Sequence, residues 1–473
     1  MASFSPFQQP YCQLGGQFFR YCQAEPLHNA HWVARNDALI VEHRLSFNDA
    51  ELLKLASGQL DDSLTPIAQK YTGHQFGYYN PDLGDGRGLL LGQGSQANGL
   101  AYDWHLKGAG RTPFSRGGDG RAVLRSCIRE YLASEAMAGL GIPTSRALSV
   151  VSNDETVWRE GAEPRAALLR LTPSHIRFGH FEWAAQLGPA ASKQLADHVI
   201  EQHFSNLADT AEPYAALLTE IVTRTAKMIA QWQSVGFNHG VMNTDNFSIL
   251  GETFDYGPYA FLDDCQIAYI CNHSDQAGRY AYNEQPQIGL WNCQVLAASF
   301  ADLIPETSTR EAIINNYVTT YNQHYITLMR HKLGLVSENA KDKELVAELI
   351  ILMDKHALDW SCTWRELALP LDAQFASKLK DYQAWWLTYQ ARLDLESISE
   401  HTRKILILNK NPQLVLRNHI AQEAIERAEA GDSAWVDQLR KALQNPFDIS
   451  AEWLTYTERP KLNQKGLRLS CSS

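Results

Sequence analysis

Between Val235 and Asp264 the chain sets out the side chains best suited to chemistry: His239, then Asp245 beside Asn246, then Asp255 in a Phe254-Asp255-Tyr256-Gly257 turn. Phe247-Ser248-Ile249-Leu250-Gly251, which separates Asn246 from Asp255, is an apolar run long enough for one short strand. Loop, short hairpin and aspartate turn would bring Asn246 and Asp255 to adjacent loop ends. Two hard oxygen ligands there suit Mg²⁺ held against a nucleotide phosphate, with water and phosphate oxygens completing the shell. Asp245 then lies next to the metal as a carboxylate base. The plainer alternative is an Asx-rich hairpin turn, because Asn, Asp and Gly favour turns in any protein.

A nucleotide phosphate needs cations, and the first part of the chain supplies them at element ends. Gly84-Asp85-Gly86-Arg87-Gly88 precedes the apolar Leu89-Leu90-Leu91, as a glycine turn running into a strand. Glycines let backbone N–H groups approach a phosphate, and Arg87 adds a charged fork; a simple hairpin turn would use the same residues. From Ala101 to Lys107, Tyr102, Trp104 and Leu106 alternate with Asp103, His105 and Lys107, the pattern of a half-buried strand with Lys107 on its polar face. A basic, glycine-rich loop leads into a helix expected from about Arg121 to Gly139, with Asp119-Gly120 at its start and Gly141 and Pro143 beyond its end. Glu130 lies mid-helix, on a face shared with Val123, Cys127, Ser134 and Met137. A carboxylate on such a face wants a cation. Lys107, one strand earlier, is the natural candidate, and local pairing with Arg125 or Arg129 is the other. Residues 145–152 and 155–160 read as two short strands with a turn at Asn153-Asp154, and a third strand breaks at Pro173 with Arg170 and Arg177 flanking the break. Arg87, Lys107, Arg170 and Arg177 in a chain of net charge −11 suit a polyphosphate pocket, unless they only cover a surface and never meet.

Small sheet with one helix, then helices, then catalytic loop and metal turn: this is the layout of protein-kinase-like enzymes. It predicts an α+β fold of two kinase-like lobes. The kinase pattern has its base two residues after the histidine, where this chain has Val241; the carboxylate instead directly precedes the asparagine. The expected division gives residues 1–70 to an N-terminal extension packed on the kinase-like core. Its clear element is a helix from Asn48 to Leu60, stopped by Gly58. Residues 71–180 form a sheet-plus-helix N-lobe, 181–335 a mainly helical C-lobe with the catalytic loop, and 336–457 an extra helical region. Residues 458–473 are a basic, mobile tail that holds Cys471. The Trp385-Trp386 pair is expected in core packing.

Composition narrows the partners. A net charge of −11 argues against a nucleic-acid surface. No apolar run approaches a membrane span, and the first residues lack a charged segment followed by an apolar core. A soluble, cytoplasmic protein with no membrane partner is expected. The eight cysteines, without a C-x-x-C pair, read as reduced cytosolic thiols rather than a zinc site.

Together, YTGHQFG, GDGRG, HLKGAGRTPFSRGGDGRAVLRSCIREYLASEAM, HGVMNTDNFSILGETFDYGP and ICNHSDQAGRYAY resemble the selenoprotein O family (SelO, also called YdiU) over nearly the whole chain. The resemblance implies a kinase-like fold once taken for that of inactive pseudokinases. Family members are protein adenylyltransferases that move AMP from ATP onto Ser, Thr or Tyr hydroxyls of proteins, and bacterial members are also linked to UMP transfer from UTP. It implies that Gly84, Gly86, Arg87, Lys107, Asp119, Gly120, Arg170 and Arg177 contact the nucleotide, with Asp255 beside them. Glu130 becomes the ion-pair partner of Lys107, Asp245 the proton acceptor, and Asn246 and Asp255 the ligands of Mg²⁺ or Mn²⁺. It also implies ATP bound in the reverse sense to kinases, its γ-phosphate inward. A collar of cations would then stand apart from the acidic hairpin. Some members carry selenocysteine third from the C-terminus, where this chain has Cys471. The resemblance implies a redox pair of Cys471 with Cys271; two free thiols are the alternative in a reducing cytosol. Two other activities stay open on the residues alone: a kinase moving the γ-phosphoryl group, and a non-catalytic nucleotide-binding scaffold, for which Val241 speaks.

Overall fold

Apolar runs and alternating stretches in the first third of the chain build one antiparallel sheet. The computed structural model describes residues 7–45, 47–95, 101–159 and 161–469. Its strands are β1 (Phe19–Tyr21), β2 (His31–Arg35), β3 (Ile67–Gln75), β4 (Tyr78–Gly84), β5 (Gly88–Ser95), β6 (Ala101–Lys107), β7 (Ala122–Val123), β8 (Arg146–Trp158) and β9 (Ala162–Thr172). They run in the order β1-β3-β5-β6-β9-β8-β2, with β4 beside β3 and β7 beside β9. The class is therefore α+β with an antiparallel sheet. β6 lies inside the sheet, and both of its faces are buried. Trp104 and Leu106 pack with Leu89, Leu91, Leu169 and Leu171 under two short helices, α1 (Asp37–Glu42) and α2 (Asp49–Ala56). The polar set Asp103, His105 and Lys107, expected on a half-buried strand, is covered as well.

α2 has the capping box its sequence calls for, Asn48 with Glu51, and stops at Ala56 before Gly58. α3 (Leu124–Gly139) starts three residues later than expected, because Ala122 and Val123 pair with β9 as β7. Residues 146–158 form one continuous strand rather than two. Asn153-Asp154 is absorbed by a register shift between Ser152 and Thr156 against β9, so no turn forms there. After β9 comes a helix that the sequence pattern did not suggest, α4 (Phe178–Leu187). It is followed by α5 (Pro189–His203), α6 (Pro213–Ser234) and the small pair β10 (Phe237–Asn238) and β11 (Ala260–Phe261). The expected strand at 247–251 is only a single bridge, Arg177 with Ser248, next to a 3₁₀ turn at Thr244–Asn246. Ser248 spends its hydroxyl on its own turn, accepting from Leu250 N at 3.0 Å, and among the described residues no second strand lies alongside to extend the bridge.

The remaining helices are α7 (Gln285–Ser299), α8 (Thr307–Lys332), α9 (Asp342–Lys355), α10 (Trp360–Glu366), α11 (Lys380–Leu393), α12 (Glu400–Lys410), α13 (Asn418–Glu429) and α14 (Ala434–Leu443). α13 and α14 fold back on α3, where Ile420, Val436 and Leu439 share one core with Tyr131, Leu132 and Met137. Arg440 Nη1 donates to Asn36 Oδ1 at 3.0 Å, so the last helices clasp the first. Trp385 lies in a second core formed by α8 to α12. The segment from Glu458, expected as a mobile tail, is tied down by Lys465 to Asp264 at 2.6 Å and by a bridge between Leu469 and Asn272. Cys271 is buried, but Cys471 lies outside the described residues, and so does the proposed pairing. Among the described residues no helix is long and apolar enough to cross a membrane.

Candidate active site

The antiparallel register of β6 and β9 sets His105 directly opposite Arg170, with Lys107 two residues along on the same face. α3 crosses that face and presents Glu130, 1% exposed. Glu130 pairs with Lys107 Nζ and also accepts from Arg170 Nη1 at 2.8 Å. Its local alternatives are engaged elsewhere: Arg125 pairs with Glu163, and Arg129 Nη2 donates to the Tyr259 carbonyl. Burial lowers the Lys107 ammonium from its ordinary value, and the Glu130 carboxylate opposes that shift.

Arg170 Nη1 continues to Asp255 Oδ1 at 2.6 Å, and its Nη2 donates to His105 Nδ1 at 3.0 Å. A guanidinium only donates, so His105 accepts at Nδ1 and carries its proton on Nε2, 3.5 Å from Asp85 Oδ2. Burial, then Arg170 and Arg177, hold His105 well below the usual histidine range, and it is neutral. Arg177 stands immediately before α4, packed between the rings of Tyr71 and Phe254. Its Nη1 reaches the Asp245 carbonyl oxygen at 2.8 Å and pairs with Asp255 Oδ2. The expected separate collar of cations is thus corrected: Arg170 and Arg177 sit directly on Asp255. The reason is the single path from β9 through Pro173 into α4, which wraps both arginines around the aspartate turn.

Asp255 has φ +57°, a left-handed conformation uncommon outside glycine, and this turns its carboxylate toward the two guanidiniums. Burial would raise its pKa, but Arg177, Arg170 and Lys107 outweigh it and hold the carboxyl well below the usual range. His239 joins the two loops: it stacks on Trp232, and its Nε2 donates to the Phe254 carbonyl at 3.1 Å. Asp245, in the 3₁₀ turn, is 7% exposed. Its Oδ2 accepts from Gln75 Nε2 at 3.2 Å, while Oδ1 is buried with no hydrogen-bond partner among the described residues. Burial pushes this carboxyl up to about 7, against the pull of Arg177.

Lys107, His105, Arg170, Arg177, Asp245 and Asp255 border one cavity of about 510 Å³. Gly84, Gly86, Arg87, Lys107, Asp119, Gly120, Arg170, Arg177, Asp245, Asn246 and Asp255 line it, and Glu130 stands behind Lys107 and Arg170. The glycine turn packs tightly on a neighbouring loop: a Cβ on Gly84 would lie 2.5 Å from Phe114 Cγ. At Gly120 (φ +70°) it would lie 1.9 Å from the Gly110 carbonyl oxygen. Asp119 is gripped by Arg159 at 2.7 and 2.9 Å, and that hydrogen bonding holds its carboxyl down to about 2. Among the described residues no group of three or more His, Cys, Asp or Glu is arranged to hold a metal. A magnesium-type ion needs fewer protein ligands, and the residues fit one. Asn246 donates its Nδ2 to the Val241 carbonyl at 3.1 Å, which leaves Oδ1 as a hard donor. Each Asp255 oxygen keeps a lone pair beyond its arginine bond, and the Asp245 Oδ1 stands unpartnered.

Asp85, His105, Gln75, Tyr71 and Arg159 also line the cavity, beyond the site residues expected from sequence. His105 carried a signal, since it shares the polar face of β6 with Lys107. Asp85 sat inside the glycine turn. Gln75 and Arg159 had none, because they arrive through the β3–β4 and β8–β9 hairpins.

A family profile described as protein adenylyltransferase SelO matches residues 4–444. The protein nucleotidyltransferase YdiU of Hydrogenovibrio crunogenus is 52% identical, over 98% of this chain and 100% of the relative. Relatives of the same name from Aliivibrio salmonicida (46% identical, 98% of each chain) and Vibrio parahaemolyticus (47%, over 99% and 98%) match at similar length.

Proposed function

The chain belongs to the SelO family and is a nucleotidyltransferase, and we propose that it transfers AMP from ATP to Ser, Thr or Tyr hydroxyls of proteins in the cytoplasm, with UTP as an alternative donor. One observation carries this reading: three buried cations, Lys107, Arg170 and Arg177, share a cavity with an unpartnered buried carboxylate oxygen, Asp245 Oδ1. The cations suit a polyphosphate and the carboxylate suits a proton, which are the two needs of nucleotidyl transfer to a hydroxyl.

In this reading Arg87, Lys107, Arg170 and Arg177 hold the phosphates. Gly84, Gly86, Asp119 and Gly120 shape the wall against the nucleotide. Glu130 fixes Lys107 and Arg170 from behind, so neither cation must reorient as charge develops. Neutral His105 accepts from Arg170 and adds no competing charge. The acceptor hydroxyl attacks the α-phosphorus, the bond to the bridging oxygen of the β-phosphate breaks, and pyrophosphate leaves. Asp245 takes the hydroxyl proton at Oδ1; a carboxyl held up to about 7 by burial is matched to that task near neutral pH. Asn246 and Asp255 would hold Mg²⁺ or Mn²⁺, which supplies further neutralisation of the triphosphate.

The test is self-labelling of purified protein with ATP carrying label on either the α- or the γ-phosphorus. Label on protein from α-labelled ATP supports AMP transfer. Label only from γ-labelled ATP would make the protein a kinase, and no product from either would make it a binding scaffold.

A further inference from the structure

The β3–β4 hairpin meets the active site with one face and packs away with the other. Its register pairs Gln75 with Tyr78, His74 with Tyr79 and Gly73 with Asn80, and cross-strand partners share a face. His74 and Tyr79 face the helices: their ring centroids lie 5.3 Å apart, and His74 is 5.4 Å from Trp291 of α7. His74 Nδ1 also shares a hydrogen bond with Glu182 Oε2 of α4 at 2.7 Å. Gly73, Gln75, Tyr78 and Asn80 share the other face, which is turned to Asp245. A Cβ on Gly73 would lie 3.1 Å from Asp245 Oδ1. Gln75 Nε2 donates to Asp245 Oδ2, and Asn80 Nδ2 donates to Gln75 Oε1. On that face Tyr78 is 80% exposed, and its ring and hydroxyl have no aromatic or hydrogen-bond partner among the described residues.

The tip of the hairpin is tied to the catalytic loop. Phe76 N donates to Asn243 Oδ1 at 3.2 Å and to the Tyr280 hydroxyl at 2.9 Å, and Asn243 lies two residues before Asp245. The side chains on this face are thus fixed relative to the base. The edge of β4 is guarded as well. Pro81 has no N–H, the Asp82 N–H is taken by Asn80 Oδ1 at 2.9 Å, and Lys70 Nζ donates to the Pro81 and Leu83 carbonyls at 2.6 and 3.0 Å. Residues 81–83 are closed to an added strand, so a protein reaching this hairpin meets side chains rather than a backbone ladder.

Resting on the transfer reading above, we propose that Tyr78 is a contact for the acceptor protein. A loop or tail of the substrate lays an apolar side chain, close in sequence to the hydroxyl that is modified, on the Tyr78 ring. Asp245 is 7% exposed, so the hydroxyl has to be carried in to it on such a segment. Gly73, Gln75, Tyr78 and Asn80 carry no formal charge and offer no ion pair to an acidic or basic neighbour, whereas a tyrosine ring gives apolar contact area at a small cost in conformational freedom. Tyr78 touches none of the reacting atoms. It selects the acceptor, while Lys107, Arg170 and Arg177 hold the nucleotide.

The test uses the full chain with α-labelled ATP and two sets of short peptides, each with one central Ser, Thr or Tyr. Leucines flank the centre in one set and glutamates in the other. Wild type is expected to label the leucine set with kcat/KM about tenfold above the glutamate set. Tyr78→Ala is expected to raise KM for the leucine peptides about tenfold and erase the preference, with KM for ATP unchanged, and Tyr78→Phe to keep the preference. Both variants should melt with wild type, because the side chain is exposed. Equal peptide KM in wild type and Tyr78→Ala, a preference for the glutamate set, or a changed KM for ATP overturns the contact. Self-labelling of wild type without label on any peptide overturns it too and leaves the transfer reading standing. No label from α-labelled ATP on peptide or protein defeats the transfer reading, and the contact falls with it.

Discussion

Two clusters of buried charge behave differently. Between α8, α9 and α11, Asp342 accepts from Arg330 Nε at 2.9 Å, Arg392 Nε at 2.7 Å and Asn339 N at 2.9 Å. Glu338 and Glu396 take further guanidinium hydrogens. That cluster does not border the cavity described above, and its buried carboxylate, Asp342, has partners on both oxygens. Around Asp255 the charges are also paired, yet Arg170 Nε, Arg177 Nε, His105 Nε2 and Asp245 Oδ1 are buried without partners among the described residues, on or beside a cavity. Incomplete satisfaction beside open space marks the second cluster as the one built to receive something.

The contrast predicts separate signatures. The largest effect belongs to the saturated cluster: Asp342→Ala leaves Arg330 and Arg392 buried without their shared carboxylate. It should cost about 3–5 kcal/mol in chemical denaturation while transfer per folded molecule stays at wild type. Asp255→Ala should do the reverse, lowering transfer about a hundred- to a thousandfold with metal-dependent ATP binding lost. Equal activity loss in both variants would erase the distinction.

Smaller changes sharpen it. Gln75 holds Asp245 Oδ2, and Asn80 in turn donates to Gln75 Oε1 at 3.3 Å. Gln75→Ala should lower kcat about tenfold and leave KM for ATP unchanged; an altered KM with intact kcat would remove Gln75 from this role. A pH dependence concerns Lys332, a cation with no carboxylate partner among the described residues. Burial holds its folded pKa at about 7, below the ordinary 10.5, so the unfolded chain holds the extra proton between those values. Its stability contribution therefore rises with pH from about 7 toward 10.5. Lys332→Met, followed by melting across that range, should lack that slope; identical slopes would contradict the burial argument.

Legibility in the sequence followed the range of the interactions. The cap of α2, the β6 alternation and the apolar surroundings of Glu130 are local patterns, and they were readable. α4 was not, because Pro173 and Gly179 interrupt its start and Arg177 looked like the end of a strand. Asn153-Asp154 reads as a turn until β9 is present to absorb it as a bulge. The direct seat of Arg170 and Arg177 on Asp255 depends on residues about eighty positions apart meeting in space, and no local pattern encodes it. The closure of α13 and α14 over α3 is of the same kind.

A crystal of the full chain with a non-hydrolysable ATP analogue and Mn²⁺, read by manganese anomalous scattering, tests the central claim most directly. The account predicts an ion bound by oxygens of Asn246 and Asp255, with the triphosphate against Lys107, Arg170 and Arg177. An ion and nucleotide found elsewhere, with the Asp255 cavity empty and its arginine pairs unchanged, would contradict it.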